Sequence, residues 1–350
     1  MKRTPLLAAL LAANAATANP ATISEPSQDR WMYPSNSTPG TRSQASTFSA
    51  LPAASGLDDR WGFFLFAFDT AVAVPPGLPP EIYQIHSVKV SATISQDLLF
   101  TYDPTSDSWQ THGTPSVPAA IPDADPGRPL ELHGTGFRND WTAASFLETS
   151  PYGPALPGLR NAFPLGFDAN GISRDVSNSI TQQFESIPWA VGKTSSLSPG
   201  DAVPIDTVFE FEINPSLPGV DAYLKQGLAA GRIWFSLSSL HPATQQAGEF
   251  VAYYTRDDVY HELFGGLAPT LTVEATLNLN LSISGNGGQV TLTWPEYAGF
   301  THQLQTSPDL SPLSWTTVHS HAATTSGTGI FTETPSATKR FYRLALTATP

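Results

Sequence analysis

The run Arg60 to Phe68, Arg-Trp-Gly-Phe-Phe-Leu-Phe-Ala-Phe, constrains this chain more than any other stretch. Successive side chains of a strand point to opposite faces. Trp61, Phe63, Leu65 and Ala67 therefore share one face, and Phe64, Phe66 and Phe68 the other. A strand apolar on both faces loses free energy wherever either face meets water, so it belongs inside a sheet covered on both sides. Asp58-Asp59 before the run and Asp69-Thr70 after it close it with groups that favour water or a turn.

Other segments carry the two-residue period of half-buried strands. Val88, Val90, Ala92 and Ile94 alternate with Ser87, Lys89, Ser91 and Thr93. Phe209, Phe211 and Ile213, then Ile233, Phe235 and Leu237, then Leu271, Val273 and Ala275 repeat the pattern. Leu98 to Tyr102 reads as one more strand. Residues 19–57 read as an irregular arm with a single short strand near Trp31-Met32-Tyr33. Two short helices are expected. Asp175 would cap one over Val176 to Phe184, and Gly231 would close the other over Asp221 to Ala230.

Residues 103–200 are broken repeatedly by Pro and Gly and read as a long irregular insertion, the kind of segment that carries function on a rigid scaffold. From about Leu277 the texture changes to short alternating strands. Gly285-Asn286-Gly287-Gly288 marks a hairpin turn, and Trp294 is the candidate core residue.

The amino terminus has the form of a secretory leader. Met1-Lys2-Arg3 precedes Leu6 to Ala13, all Leu and Ala, and Ala16-Thr17-Ala18 fits a cleavage site, so export with cleavage near Ala18 is expected. The apolar run is too short to span a bilayer, and no membrane span is expected in the mature chain. With 17 Lys plus Arg against 30 Asp plus Glu, a net charge of −13 disfavours nucleic acid and anionic membranes as partners. Cysteine is absent, which excludes thiol chemistry and Cys-ligated zinc and leaves core burial to hold an exported fold.

Two resemblances follow from these residues. Phe66-Ala67-Phe68-Asp69-Thr70, with Ile85-His86-Ser87-Val88-Lys89-Val90, is similar to the DNRLRE-type, carbohydrate-binding-module-like jelly-roll domain of secreted bacterial proteins. Asp29 to Gly40 stands where that family has its opening segment. The likeness covers 25–102, with further support in 205–275. It implies a β-sandwich on extracellular polysaccharide-processing or surface proteins, some of which bind carbohydrate, and carries over no binding residue. The tail from Trp294-Pro295 through Leu304 to Leu310, Trp315 and Phe341-Tyr342-Arg343-Leu344 resembles a fibronectin-type-III-like C-terminal module, which implies display or spacing. The expected architecture is all-β: leader 1–18, a jelly-roll-like sandwich over 19–275 with the insertion at 103–200 and one or two short helices, and a small immunoglobulin- or fibronectin-III-like sandwich over 276–350.

Candidate chemistry lies mostly in the insertion. Trp109, Trp141 and Trp189 offer faces on which sugars stack, beside Asp103, Asp107, Asp123 and Asp125; the competing reading is that these rings staple loops onto the sandwich. Asp123-Ala124-Asp125-Pro126-Gly127, with Glu131 beyond, is the one cofactor candidate, a turn whose Asp123 and Asp125 could hold structural Ca²⁺, against the reading of a solvated acidic turn. His319 and His321 share a strand face without a third ligand, and Asp257-Asp258 beside His261 reads as a polar loop. No nucleophile elbow, His-Glu-x-x-His or phosphate loop occurs. A glycosidase needs only two carboxylates at the right separation. The leading reading is therefore non-catalytic binding of an extracellular polysaccharide or cell-surface glycan. A glycan-active hydrolase or lyase with its site in 103–200 is the alternative, and a structural or display protein of the cell envelope is the third.

Overall fold

A computed structural model of the chain describes residues 20–50, 56–113, 118–243, 250–286, 288–334 and 340–349. The leader Met1 to Ala18 lies outside the described residues. The first part of the chain supplies β1 (Ala21–Ile23), β2 (Gln28–Met32), β3 (Gln44–Ser49), β4 (Arg60–Asp69), β5 (Tyr83–Thr93), β6 (Leu130–Phe137), β7 (Ala162–Phe167), β8 (Ser173–Asp175), β9 (Ala190–Val191), β10 (Val208–Glu212), β11 (Arg232–Ser239), β12 (Val251–Tyr254) and β13 (Thr270–Leu277). They form two antiparallel sheets. One runs β1-β13-β5-β10. The other runs β12-β3-β4-β11-β6-β7-β8, with β2 also against β4 and β9 also against β6.

β4 sits inside the larger sheet, and its alternation divides two cores. Phe64, Phe66 and Phe68 join Val88, Val90, Ala92, Phe209, Phe211, Leu271 and Val273 between the sheets. Phe63, Leu65 and Ala67 pack on Met32, Phe146, Ala162 and Trp234 on the other side. Both faces are thus covered, as an apolar ten-residue strand requires. Each fully buried ring contributes about 1.5–3 kcal/mol. The all-β sandwich expected from the sequence is the observed architecture.

Several local expectations give way to tertiary contacts. The arm 19–57 contributes three strands rather than one. Leu98 to Tyr102 forms no ladder strand. Leu98 takes a left-handed φ of 55°, and the segment lies against 200–203 as an irregular antiparallel pair, with one bridge, Thr101 to Ala202, and backbone bonds that include Leu98 N–H to Val203 O and Tyr102 N–H to Asp201 O. Residues 176–184 form consecutive turns instead of a helix. The Asp59 carboxylate, far away in sequence, accepts from the Ile180 and Thr181 backbone N–H groups and the Thr181 hydroxyl, and so takes the donors that a helix over 176–184 would spend on the carbonyls four residues back, at 176 and 177. The second expected helix is present as α1 (Val220–Ala230), closed by Gly231 at φ 80°. A further helix, α2 (Val259–Phe264), stands where a polar loop was expected. Asp258 is its cap and accepts from the Tyr260 and His261 N–H groups, so its carboxylate has a structural role. The 103–200 stretch is mostly loop, yet its β6 pairs with β11 in the body of the larger sheet.

The rest of the chain forms β14 (Ser282–Asn286), β15 (Gln289–Glu296), β16 (Phe300–Ser307), β17 (Thr316–Ala323), β18 (Gly327–Glu333) and β19 (Phe341–Ala348), in two three-stranded antiparallel sheets, β14-β15-β18 and β17-β16-β19. Leu292, Trp294, Leu304 and Leu344 are buried there. His319 packs against the Trp294 ring while His321 Nδ1 pairs with Glu296 at 2.8 Å, so the two imidazoles have separate partners. Among the described residues no helix is long and apolar enough to cross a membrane.

Candidate functional site

Two places in the 103–200 stretch gather chemistry. The first is built by two turns brought face to face. Asp103 folds the chain back on itself: its Oδ1 accepts from the Thr105 N–H at 2.8 Å, the local bond that makes Asp a turn former. Ser108 then caps a single 3-10 turn, Trp109–Thr111. The chain returns through Asp123 to Arg128. Gly127 adopts φ 107° and lies so close to Thr101 and Asp103 that a Cβ there would meet Thr101 O at 2.9 Å. That close approach delivers Asp125 to Asp103.

Asp103, Asp107 and Asp125 each place a carboxylate oxygen within 4.8 Å of the other two. Asp103 is 3% exposed, and its Oδ2 is buried with no hydrogen-bond partner. The Thr105 hydroxyl lies 2.8 Å from both Asp103 Oδ1 and Asp125 Oδ2, and its single proton can serve only one of them. Arg128 Nη1 lies 3.1 Å from Asp107 Oδ2 and also pairs with Asp123. His112 Nε2, buried and without a hydrogen-bond partner, faces Asp107 Oδ2 at 3.8 Å. Burial, then the Asp123 charge, push the Asp107 carboxyl up to about 7. Burial and the Arg128 charge push His112 down to about 3 and keep it neutral.

Of the two aspartates that the sequence marks as metal ligands, Asp125 enters this centre and Asp123 turns to Arg128 instead. The actual companions of Asp125 are Asp103 and Asp107. The signal for them was the turn-forming run from Asp103 to Ser108; nothing local tells which distant turn it meets. Glu131 lies elsewhere, buried against Arg60.

The three tryptophans do not make one platform. Trp109 is half-buried in the 3-10 turn that follows Asp107. Trp141 is half-buried edge-on against Phe146, 5.7 Å between centroids, and staples the loop after β6 onto the outer face of β4. Trp189 is 2% exposed. Phe167 stacks on it at 5.9 Å, the Tyr223 ring meets it at 4.9 Å, and its benzo edge rests on Gly134. As an open stacking platform Trp189 is thereby corrected: protein rings already take its faces.

Trp189 nevertheless lines the second place, a partly open cavity of about 210 Å³ shared with Phe167, Asp168, Ala169, Ile187, Leu217, Pro218 and Val220. β7 ends at Phe167, and Asp168 Oδ1 accepts from the Asn170 and Ile172 N–H groups to shape one wall. The opposite wall leads into α1. The lining is apolar except for Asp168, and the Trp189 indole Nε1 is buried with no partner.

No protein-family model, curated protein or solved structure matches this chain. The chemistry of both places therefore rests on their own geometry. The acidic turns gather hard oxygen donors. The cavity gathers aromatic and aliphatic surface with one carboxylate, and it lacks the opposed carboxylate pair that glycoside hydrolysis uses.

Proposed function

We propose that the protein is a non-catalytic binding module for an extracellular or cell-surface carbohydrate, taken at the cavity between the end of β7 and the start of α1. The observation that carries this reading is the lining: aromatic and aliphatic walls with a single carboxylate, Asp168. Binding sites for small polar molecules combine apolar walls with a few placed polar groups. A sugar ring presents apolar C–H surface to such walls and hydroxyls to a carboxylate. The cavity is smaller than the roughly 300 Å³ at which drug-sized sites begin, so it suits one ring or a chain end rather than a long oligosaccharide. The leader-like amino terminus supports a role for such a module outside the cell. A glycoside hydrolase working at this cavity would need a second carboxylate facing Asp168, and none lines it.

The test is a glycan array on the mature protein, followed by titration of any hit with Asp168→Asn and Ile187→Asp. The first keeps an oxygen for the 168–172 turn and removes the charge; the second introduces a carboxylate at a half-exposed wall position. Each is expected to weaken binding about tenfold, equivalent to about 1.4 kcal/mol, at an unchanged melting midpoint. Retention of no glycan, or binding that survives both changes, sinks the reading.

A further inference from the structure

We infer that Asp103, Asp107 and Asp125 hold a divalent cation of the hard, oxygen-seeking kind, Ca²⁺ foremost, which ties the 103–107 turn to the 123–128 turn. The inference is independent of the carbohydrate reading and of its cavity. Two oxygens on opposite sides of a Ca²⁺ ion, each about 2.4 Å away, are about 4.8 Å apart. The three carboxylates meet that limit for every pair. All three donors are oxygens, which selects hard cations over zinc or copper.

Two buried polar atoms lack a partner here, one on Asp103 within the acidic cluster and one on His112 outside it. Asp103 Oδ2 has no hydrogen-bond donor and no access to water. His112, 6% exposed, turns an unpaired Nε2 toward Asp107 at 3.8 Å. Leaving a buried polar atom unpaired costs free energy that a cation and its bound water would recover. The Thr105 hydroxyl adds a shortage: it stands between two carboxylates with one proton to give.

Arg128 counts against a tight site. It already neutralises part of the charge through Asp107 and Asp123, and it competes with any ion at Asp107 Oδ2. One guanidinium beside Asp103, Asp107, Asp123 and Asp125 still leaves excess negative charge. Weak, millimolar-range binding follows, with Kd of about 10⁻⁴–10⁻³ M as in extracellular Ca²⁺ modules.

The experiment titrates chelator-treated full-length protein with CaCl₂, and separately with MgCl₂, by calorimetry and by thermal unfolding. The expected result is one saturable Ca²⁺ site in that range and a melting midpoint that rises with the logarithm of Ca²⁺ concentration above Kd. Asp107→Asn and Asp125→Asn should each weaken Ca²⁺ at least tenfold, while Glu212→Gln, an exposed carboxylate on β10, leaves it unchanged. Arg128→Gln should tighten Ca²⁺ several-fold, because it removes the competing cation; a purely structural role for these aspartates would give no such gain. Absence of saturable Ca²⁺ binding by the wild type overturns the inference. So does an affinity that both Asp→Asn variants leave intact.

Discussion

Arg60, at the start of β4, and Glu131, on β6, meet in a two-point contact: Nε to Oε2 at 2.7 Å and Nη2 to Oε1 at 2.9 Å, with both side chains out of water. The same guanidinium donates to Val176 O, Ser179 Oγ and Ser186 Oγ. It therefore anchors the turns of 176–186 to the outer face of the larger sheet. Burial alone would raise the Glu131 pKa, but Arg60 and the nearby His133 outweigh it and hold the carboxyl well below the usual range.

Removing the acid leaves the arginine buried without its counter-charge. Breaking a buried pair on one side costs about 3–5 kcal/mol. Glu131→Gln should lower the unfolding free energy by that amount in a urea titration, and the double variant with Arg60→Met should recover part of it. A change within about 0.5 kcal/mol in the single variant, the size of an ordinary surface substitution, would mean that water reaches the pair.

Gly134 gives a packing test. A Cβ there would lie 2.1 Å from Trp189 Cη2, on a ring that Phe167 and Tyr223 already hold. Gly134→Ala should cost about 1–3 kcal/mol through forced displacement of the indole. It should also alter the emission of Trp189, read as the difference from the same variant carrying Trp189→Phe. An unshifted melting midpoint would show that the ring moves freely.

His241 is buried edge-on against Phe100, and burial pushes it down to about 3. An unfolded histidine titrates near 6.5. Between these values the unfolded chain takes up a proton that the folded chain refuses, so this contribution to stability is complete above about 6.5 and is lost as pH falls toward 3. In His241→Leu that loss is gone. Relative to wild type, the variant should gain roughly 2–3 kcal/mol between about pH 7 and pH 4, measured by denaturant titration. A constant difference across that range would refute a buried neutral imidazole.

Asp29 works in the opposite direction. Burial raises it to about 7, against the lowering effect of its bond from the Arg256 N–H. The folded state keeps a proton that the unfolded carboxyl releases near 4, so this contribution is complete at low pH and is lost as pH rises to about 7. Asp29→Asn, neutral at every pH, should gain on wild type as pH rises from about 5 to 8 in paired thermal melts. A gap that stays flat or narrows would contradict the shift.

The residues of 60–68 alone determined that a strand lies there and that it is covered twice, because the period of two is a property of the backbone and needs no partner. Gly231 likewise marked the end of α1 from local conformation alone. The acidic turns were legible as turns, and Asp125 as a ligand candidate. Tertiary structure decided the rest. Which strands flank β4 depends on burial summed over segments far apart in sequence. Asp59 overrode the local helix signal of 176–184 by reaching its N–H groups across the fold. Trp189 became a wall instead of a platform because Phe167 and Tyr223 arrive from β7 and α1. Asp103 and Asp107 joined Asp125 because Gly127 lets two turns touch. Carboxylates repel, so no short-range preference encodes that meeting; the packing of the surrounding chain imposes it.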